Sequence, residues 1–177
     1  MAKYMCEPKK REEIKVVAKW FRQRYGIEKY VYFPVLEIMD VFSLDNKVSF
    51  DIVDEDELEA NTLADTDILN NVIRIKESVY QKACDGDGLA RMTIVHEMGH
   101  YVLLKVFGII FARNTKDVKV RTCMDPEWQA KCFAGEAMID DELTANMTVE
   151  EIKEKCGVSY PAARYQYDIN HKNDWYK

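Results

Sequence analysis

The stretch Thr93-Ile94-Val95-His96-Glu97-Met98-Gly99-His100-Tyr101-Val102-Leu103-Leu104 sets His-Glu-x-x-His inside an apolar run. On a helix, residues i and i+4 share a face, so His96 and His100 reach toward one point, with Glu97 beside them. Imidazole is a zinc ligand, and a catalytic Zn²⁺ takes three protein ligands and leaves one position for water. The ion lowers that water's pKa, and a neighbouring glutamate takes and returns the proton. Ile94, Val95, Met98, Val102 and Leu103, preceded by Leu89 and Met92, give the run the apolar content of a buried helix. Gly108 is its expected C′ residue. The bland alternative is a core helix whose histidines only hydrogen-bond to neighbours; the fixed spacing around Glu97 favours the metal.

A third ligand is needed, and the chain holds three histidines in all. His171, Glu127 and Glu136 compete for the place. Asp125-Pro126-Glu127-Trp128 reads as a helix start, with Asp125 as N-cap and Pro126 in the first turn, and the helix is predicted to run to about Met138. Glu127 shares a face with Ala130, Ala134 and Met138, small or flexible residues that let the two helices approach. Glu136 falls on the opposite face at 3.6 residues per turn. The otherwise apolar side selects Glu127.

These segments resemble the ImmA/IrrE metallopeptidases. Residues 91 to 103, Arg-Met-Thr-Ile-Val-His-Glu-Met-Gly-His-Tyr-Val-Leu, look like that family's active helix. Residues 127 to 134, Glu-Trp-Gln-Ala-Lys-Cys-Phe-Ala, look like its second motif, a glutamate followed by Ala-x-x-Phe-Ala, and Cys156 to Arg164 resembles its next segment. The resemblance is best from about residue 71 to 165 and loose over the first 60. Ala137-Met138-Ile139-Asp140 departs from the Leu-Leu-Met-Pro often found there. The resemblance implies that His96, His100 and Glu127 bind zinc and that Glu97 is the base. It also implies a protein partner: a helix-turn-helix repressor of a mobile element or stress regulon, cleaved to release transcription. The fold expected is zincin-like α+β, a small sheet packed by helices. Besides zinc, an oxyanion needs a donor, and Tyr160, Tyr165, Tyr167 and His171 are the candidates downstream.

Length and composition agree with one cytoplasmic domain over 1–177. At 177 residues a single domain is the default. No stretch reaches the roughly 18 apolar residues of a membrane span, and the first residues lack the apolar core of a signal peptide. Five cysteines without C-x-x-C spacing suit a reducing compartment and the role of small hydrophobes. The net charge of −6 is concentrated: residues 51 to 67 carry eight carboxylates and no Lys or Arg. A solvated acidic loop is the simplest reading, and overall acidity argues against a broad nucleic-acid surface.

Along the chain, Lys9 to Tyr25 is predicted helical, with Ile14, Val17, Ala18 and Phe21 inward and Gly26 as the stop. A second helix is predicted from Pro34 to about Val41. Lys47 to Val53 alternates as a strand with Val48, Phe50 and Ile52 inward. Asn71 to Lys76 is another strand, forming a hairpin with Thr62-Leu63 across a turn at Asp65 to Asn71. Its Ile73, Arg74 and Ile75, within a rim of Val72 to Ile75, are expected to line the cleft as an open edge that pairs with extended substrate, Arg74 guarding the edge; the alternative is an interior strand paired on both sides. Glu77 to Ala83 reads as a short helix. Asp85-Gly86-Asp87-Gly88 reads as the turn that caps the active helix, and it has no register of a calcium loop. Ile109 to Arg113 and Asp117 to Arg121 are short connections.

Residues 148 to 170 carry a helix-turn-helix outline: a capping box from Thr148 to Glu151, a turn at Gly157, and a second helix from Pro161. Only Arg164 and Gln166 suit a DNA groove there, so a packing element is preferred to direct DNA binding. A second reading of the whole chain is nonetheless a regulatory protein that binds a repressor or DNA and holds a mainly structural metal.

Overall fold

The computed structural model describes residues 4–107, 112–113 and 121–171. Gly108, and most of the two connections expected between 109 and 121, lie outside them. The architecture is α+β, mostly helical around a small three-stranded sheet.

Helix α1 (Arg11–Arg24) buries Ile14, Val17, Ala18 and Phe21, the stripe read from its periodicity. Gly26 ends it in the left-handed conformation that glycine adopts without strain. Helix α2 (Val35–Asn46) runs past the expected Val41, because Phe42 continues the buried stripe of Val35, Ile38 and Met39. Strand β2 (Ser49–Val53) follows; a two-residue strand β1 (Tyr4–Met5) precedes α1 and pairs with β5 (Ala112–Arg113). Ile52, expected inward, is exposed, and Val48, just before β2, and Val53, its last residue, are buried.

Strands β3 (Ala64–Asp67) and β4 (Val72–Lys76) form the hairpin, antiparallel, with Ala64 opposite Ile75 and Asp67 opposite Val72. The hairpin was legible, but its first strand lies further along than Thr62-Leu63. Asp65, Thr66 and Asp67 read as turn residues, yet they are strand, because ladder bonds to β4 and a cross-strand ion pair outweigh their poor strand preference. Arg74 Nε donates to Asp65 Oδ1 at 2.8 Å.

The expectation for Ile73, Arg74 and Ile75 is corrected here. β4 is the central strand of the order β2-β4-β3, paired in parallel with β2 and antiparallel with β3. Neither edge is free, and Ile73 and Ile75 are wholly buried. Alternation tells which face of a strand is inward and nothing about how many neighbours it has.

Helix α3 (Glu77–Cys84) leads to the long α4 (Gly88–Phe107), which carries the His-Glu-x-x-His segment. Asp87 caps it, accepting from Ala90 N at 2.8 Å. Helix α5 (Pro126–Met138) lies against α4 on one side and α1 on the other, and Asp125 caps it through Glu127 N at 3.1 Å. The short α6 (Asp141–Thr144) precedes the C-terminal pair, α7 (Val149–Cys156) and α8 (Tyr160–Asn170). The Thr148–Glu151 capping box is formed as expected.

Buried Arg91 ties the turn between α7 and α8 to α4. Its guanidinium donates to Gly157 O at 2.6 Å and to Phe33 O, and lies 3.9 Å from the centre of the Tyr32 ring. Gly157 has φ +63°, and a Cβ there would stand 1.8 Å from Arg91 Nη1. Gly157→Ala is therefore expected to cost about 1–3 kcal/mol of stability from backbone strain and displacement of Arg91. Thermal unfolding measures it, and an unchanged melting temperature would refute the packing described.

The five cysteines are all free thiols. Among the described residues, no helix is long and apolar enough to cross a membrane.

Candidate metal centre

His96 and His100 lie one turn apart on the face of α4 turned toward the start of α5. The helices meet closely here because of Gly99: a Cβ on it would stand 2.9 Å from Phe133 Cδ1 and 3.3 Å from Ala130 O. That approach brings Glu127, in the first turn of α5, onto the two imidazoles. His96 Nε2 lies 3.1 Å from His100 Nε2 and 3.2 Å from Glu127 Oε2, and His100 Nε2 lies 3.3 Å from Glu127 Oε1. Among the described residues this is the one cluster of His, Cys, Asp or Glu with metal-holding spacing.

The donor set fits zinc. Two imidazoles and a carboxylate form a catalytic ligand set, and bonds of about 2.0–2.1 Å in a tetrahedron put ligand atoms about 3.3 Å apart. The three separations fall at that value or just below it. Glu136, the rival on the opposite face, is buried and engaged elsewhere: Arg11 Nε donates to it at 2.6 Å and Gln166 Nε2 at 3.0 Å.

Glu97 follows His96 and is only 7% exposed. One side-chain donor among the described residues reaches its carboxylate, Thr66 Oγ1 on β3, at 2.7 Å from Oε2. The sequence reading missed Thr66, because it lies in a stretch read as turn. An open cleft of about 1,260 Å³ runs beside this group, lined by β3 together with Leu58, Leu63, Leu69, Thr93, Leu104 and Pro126. β3 pairs with β4 alone among the described residues, so the strand edge that borders the cleft is β3.

Tyr160, Tyr165, Tyr167 and His171, expected as oxyanion donors, are not brought to this group. α8 docks on the Glu136 face of α5, through Gln166. Tyr165 lies near the Arg11 guanidinium, 5.6 Å from ring centre to Cζ. Tyr167 stacks on His171 with centroids 4.0 Å apart, and Tyr160 is exposed beside Arg164. The side on which a later helix docks is not encoded in its own periodicity. Of the two residues suited to a DNA groove, Gln166 is 1% exposed and bonded to Glu136, and Arg164 pairs with Asp168 at 3.1 Å.

The charges in this cluster are set mainly by the contacts of its members with one another. Hydrogen bonds from His100 and His96 hold the Glu127 carboxyl well below the usual carboxylate range. Burial alone disfavours a charged His100, but the bond to Glu127 and the neighbouring Glu97 charge outweigh it, and its pKa rises above 6.5. Depressed Glu127 contributes stability that is present above its unfolded value of 4.5 and lost as pH falls through the folded one. Raised His100 contributes stability that is full below 6.5 and lost as pH rises through the folded value. Glu127 is largely exposed, so solvent screens its share. The metal-free protein is expected to be most stable near pH 5–6 and to weaken above neutrality. Zinc needs neutral imidazoles, so its stabilising effect should grow as pH rises over the same range. Thermal unfolding with and without zinc, from about pH 5.5 to 7.5, checks this; a zinc effect independent of pH would refute it.

Comparison with known proteins places the fold and no more. No protein-family profile matches the chain, and no curated protein does. The fold is similar to that of a solved structure described as a Mycobacterium tuberculosis transcriptional regulator, at 10% identity and a TM-score of 0.56. The match covers 88% of this chain and 47% of that one, so this chain spans about half the length of that relative.

Proposed function

We propose that this chain is a zinc-dependent endopeptidase of the ImmA/IrrE kind, with a zincin-like arrangement. It would cleave a helix-turn-helix transcriptional repressor of a mobile element or stress regulon in the cytoplasm. The observation that carries the reading is the convergence of His96, His100 and Glu127 at zinc-ligand separations beside buried Glu97. Zinc, when bound, supplies a lowered water pKa and polarises the scissile carbonyl. Glu97 takes the proton of the attacking water and hands it to the leaving amine. His96, His100 and Glu127 hold their geometry through the Gly99 contact between α4 and α5. The edge of β3 that has no strand partner among the described residues offers main-chain partners to an extended substrate, the role that β4 cannot fill.

The second reading, a regulatory protein with a structural metal, draws on the helix–turn–helix of α7 and α8 and on the description of the structural relative as a transcriptional regulator. The burial of Gln166 and the pairing of Arg164 weigh against it. One experiment separates them. Zinc-loaded protein is incubated with helix-turn-helix repressor proteins from the same genome, and new termini are sought by mass spectrometry. Cleavage at one position, abolished by a chelator, is the expected result. No cleavage, together with tight DNA binding that falls steeply with salt, would overturn the peptidase reading.

A further inference from the structure

We propose that Thr66 is a positioning residue for the base: its hydroxyl holds the Glu97 carboxylate in its working orientation, and it does so from the strand that borders the substrate cleft. This rests on the zinc-peptidase reading. Thr66 Oγ1 lies 2.7 Å from Glu97 Oε2 and 3.1 Å from Glu97 O. A hydroxyl has one proton to donate, and the shorter, charge-assisted bond is the one to the carboxylate. Among the described residues no other side chain donates to that carboxylate. A buried carboxylate with a single donor depends on it for its direction.

The strand fixes the donor in turn. Thr66 stands opposite fully buried Ile73, so its side chain shares the inward face of the sheet, toward α4. Its neighbours alternate to the other face, where Asp65 takes Arg74, while Asp67 accepts from Asn70. The sequence Asp65-Thr66-Asp67 thus puts its one neutral donor where a carboxylate would repel Glu97. The β-branched side chain has few rotamers, which suits a fixed aim. Because β3 is also the strand edge beside the cleft, a substrate that pairs with it steadies Thr66, and through Thr66 the base.

The test uses zinc-loaded full-length protein and acetohydroxamate, a zinc chelator that hydrogen-bonds to an adjacent base when it binds. Thr66→Val removes the hydroxyl and keeps the shape; Thr66→Ser restores it, and Thr66→Ala serves if the valine variant does not fold. Zinc content is measured for each, and acetohydroxamate affinity by calorimetry. Thr66→Val is expected to keep its zinc and bind about tenfold more weakly, with Thr66→Ser near wild type. In a Glu97→Gln background the Thr66→Val effect should shrink, since it acts through Glu97. Wild-type affinity in Thr66→Val, or in Thr66→Ala where the valine variant does not fold, or an effect undiminished in the Glu97→Gln background, would overturn the role of Thr66 and leave the metal reading standing. Failure of the wild-type protein to take up zinc would overturn the metal reading, and Thr66 with it.

Discussion

Glu97→Gln is expected to keep its full zinc content and to lose peptide hydrolysis by about 10²–10⁴-fold, the usual cost of removing a general base. The substitution preserves volume at a position only 7% exposed, so the helix and the core around Met98 have no reason to move. The amide oxygen still accepts from Thr66 Oγ1, which keeps the side chain in place. What is lost is the ability to take a proton. Metal analysis, and initial rates on any peptide or protein that the wild-type chain hydrolyses, read the two properties separately. Wild-type turnover in this variant would remove Glu97 from the mechanism, and loss of zinc would mean that Glu97 is a ligand.

His96→Ala and His100→Ala are each expected to weaken zinc binding by roughly 100-fold or more, beyond what the loss of a mere supporting contact costs. Each deletion leaves two of three ligands, and among the described residues the rivals are engaged elsewhere: Glu136 is held by Arg11 on the far face of α5, and His171 stacks on Tyr167. The metal-free fold should survive, because α4 packs through Ile94, Val95, Met98 and Tyr101 rather than through the histidines. The variants should also lose the zinc-induced rise in melting temperature, by mass action on the folded state. Competition against a chelating dye gives the affinities. A variant that retains zinc at wild-type affinity would end the assignment of this cluster as the metal centre.

Much of the site follows from short-range periodicity. His96 and His100 at i and i+4 must share a helix face, and Glu127 and Glu136, nine positions apart, must not. Asp125, Thr148 and Gly157 act at helix ends, where a single residue satisfies or terminates the backbone, so their roles could be read in sequence. Ile14 to Phe21 and Val35 to Met39 reveal their buried faces by the same arithmetic. The choice of Glu127 over Glu136 is local too, since it rests on which side of one helix is apolar.

The rest depends on contacts between distant parts of the chain. Val72–Lys76 alternates in the same way whether it is an edge or a centre strand. Only its pairing with Ser49–Val53 on one side and Ala64–Asp67 on the other made it central and left β3, among the described residues, paired on one side alone. Thr66 reaches Glu97 across 31 residues of sequence, and nothing local marks a threonine between two aspartates as a partner of that carboxylate. The docking of α8 on the Glu136 side of α5, which takes the downstream tyrosines away from the His96–His100–Glu127 group, is likewise a matter of tertiary packing. Helix faces and caps are fixed by bonds that span about one turn, so the sequence determines them alone. Strand order and helix docking are fixed by long-range pairing and burial, which exist only once the chain has folded.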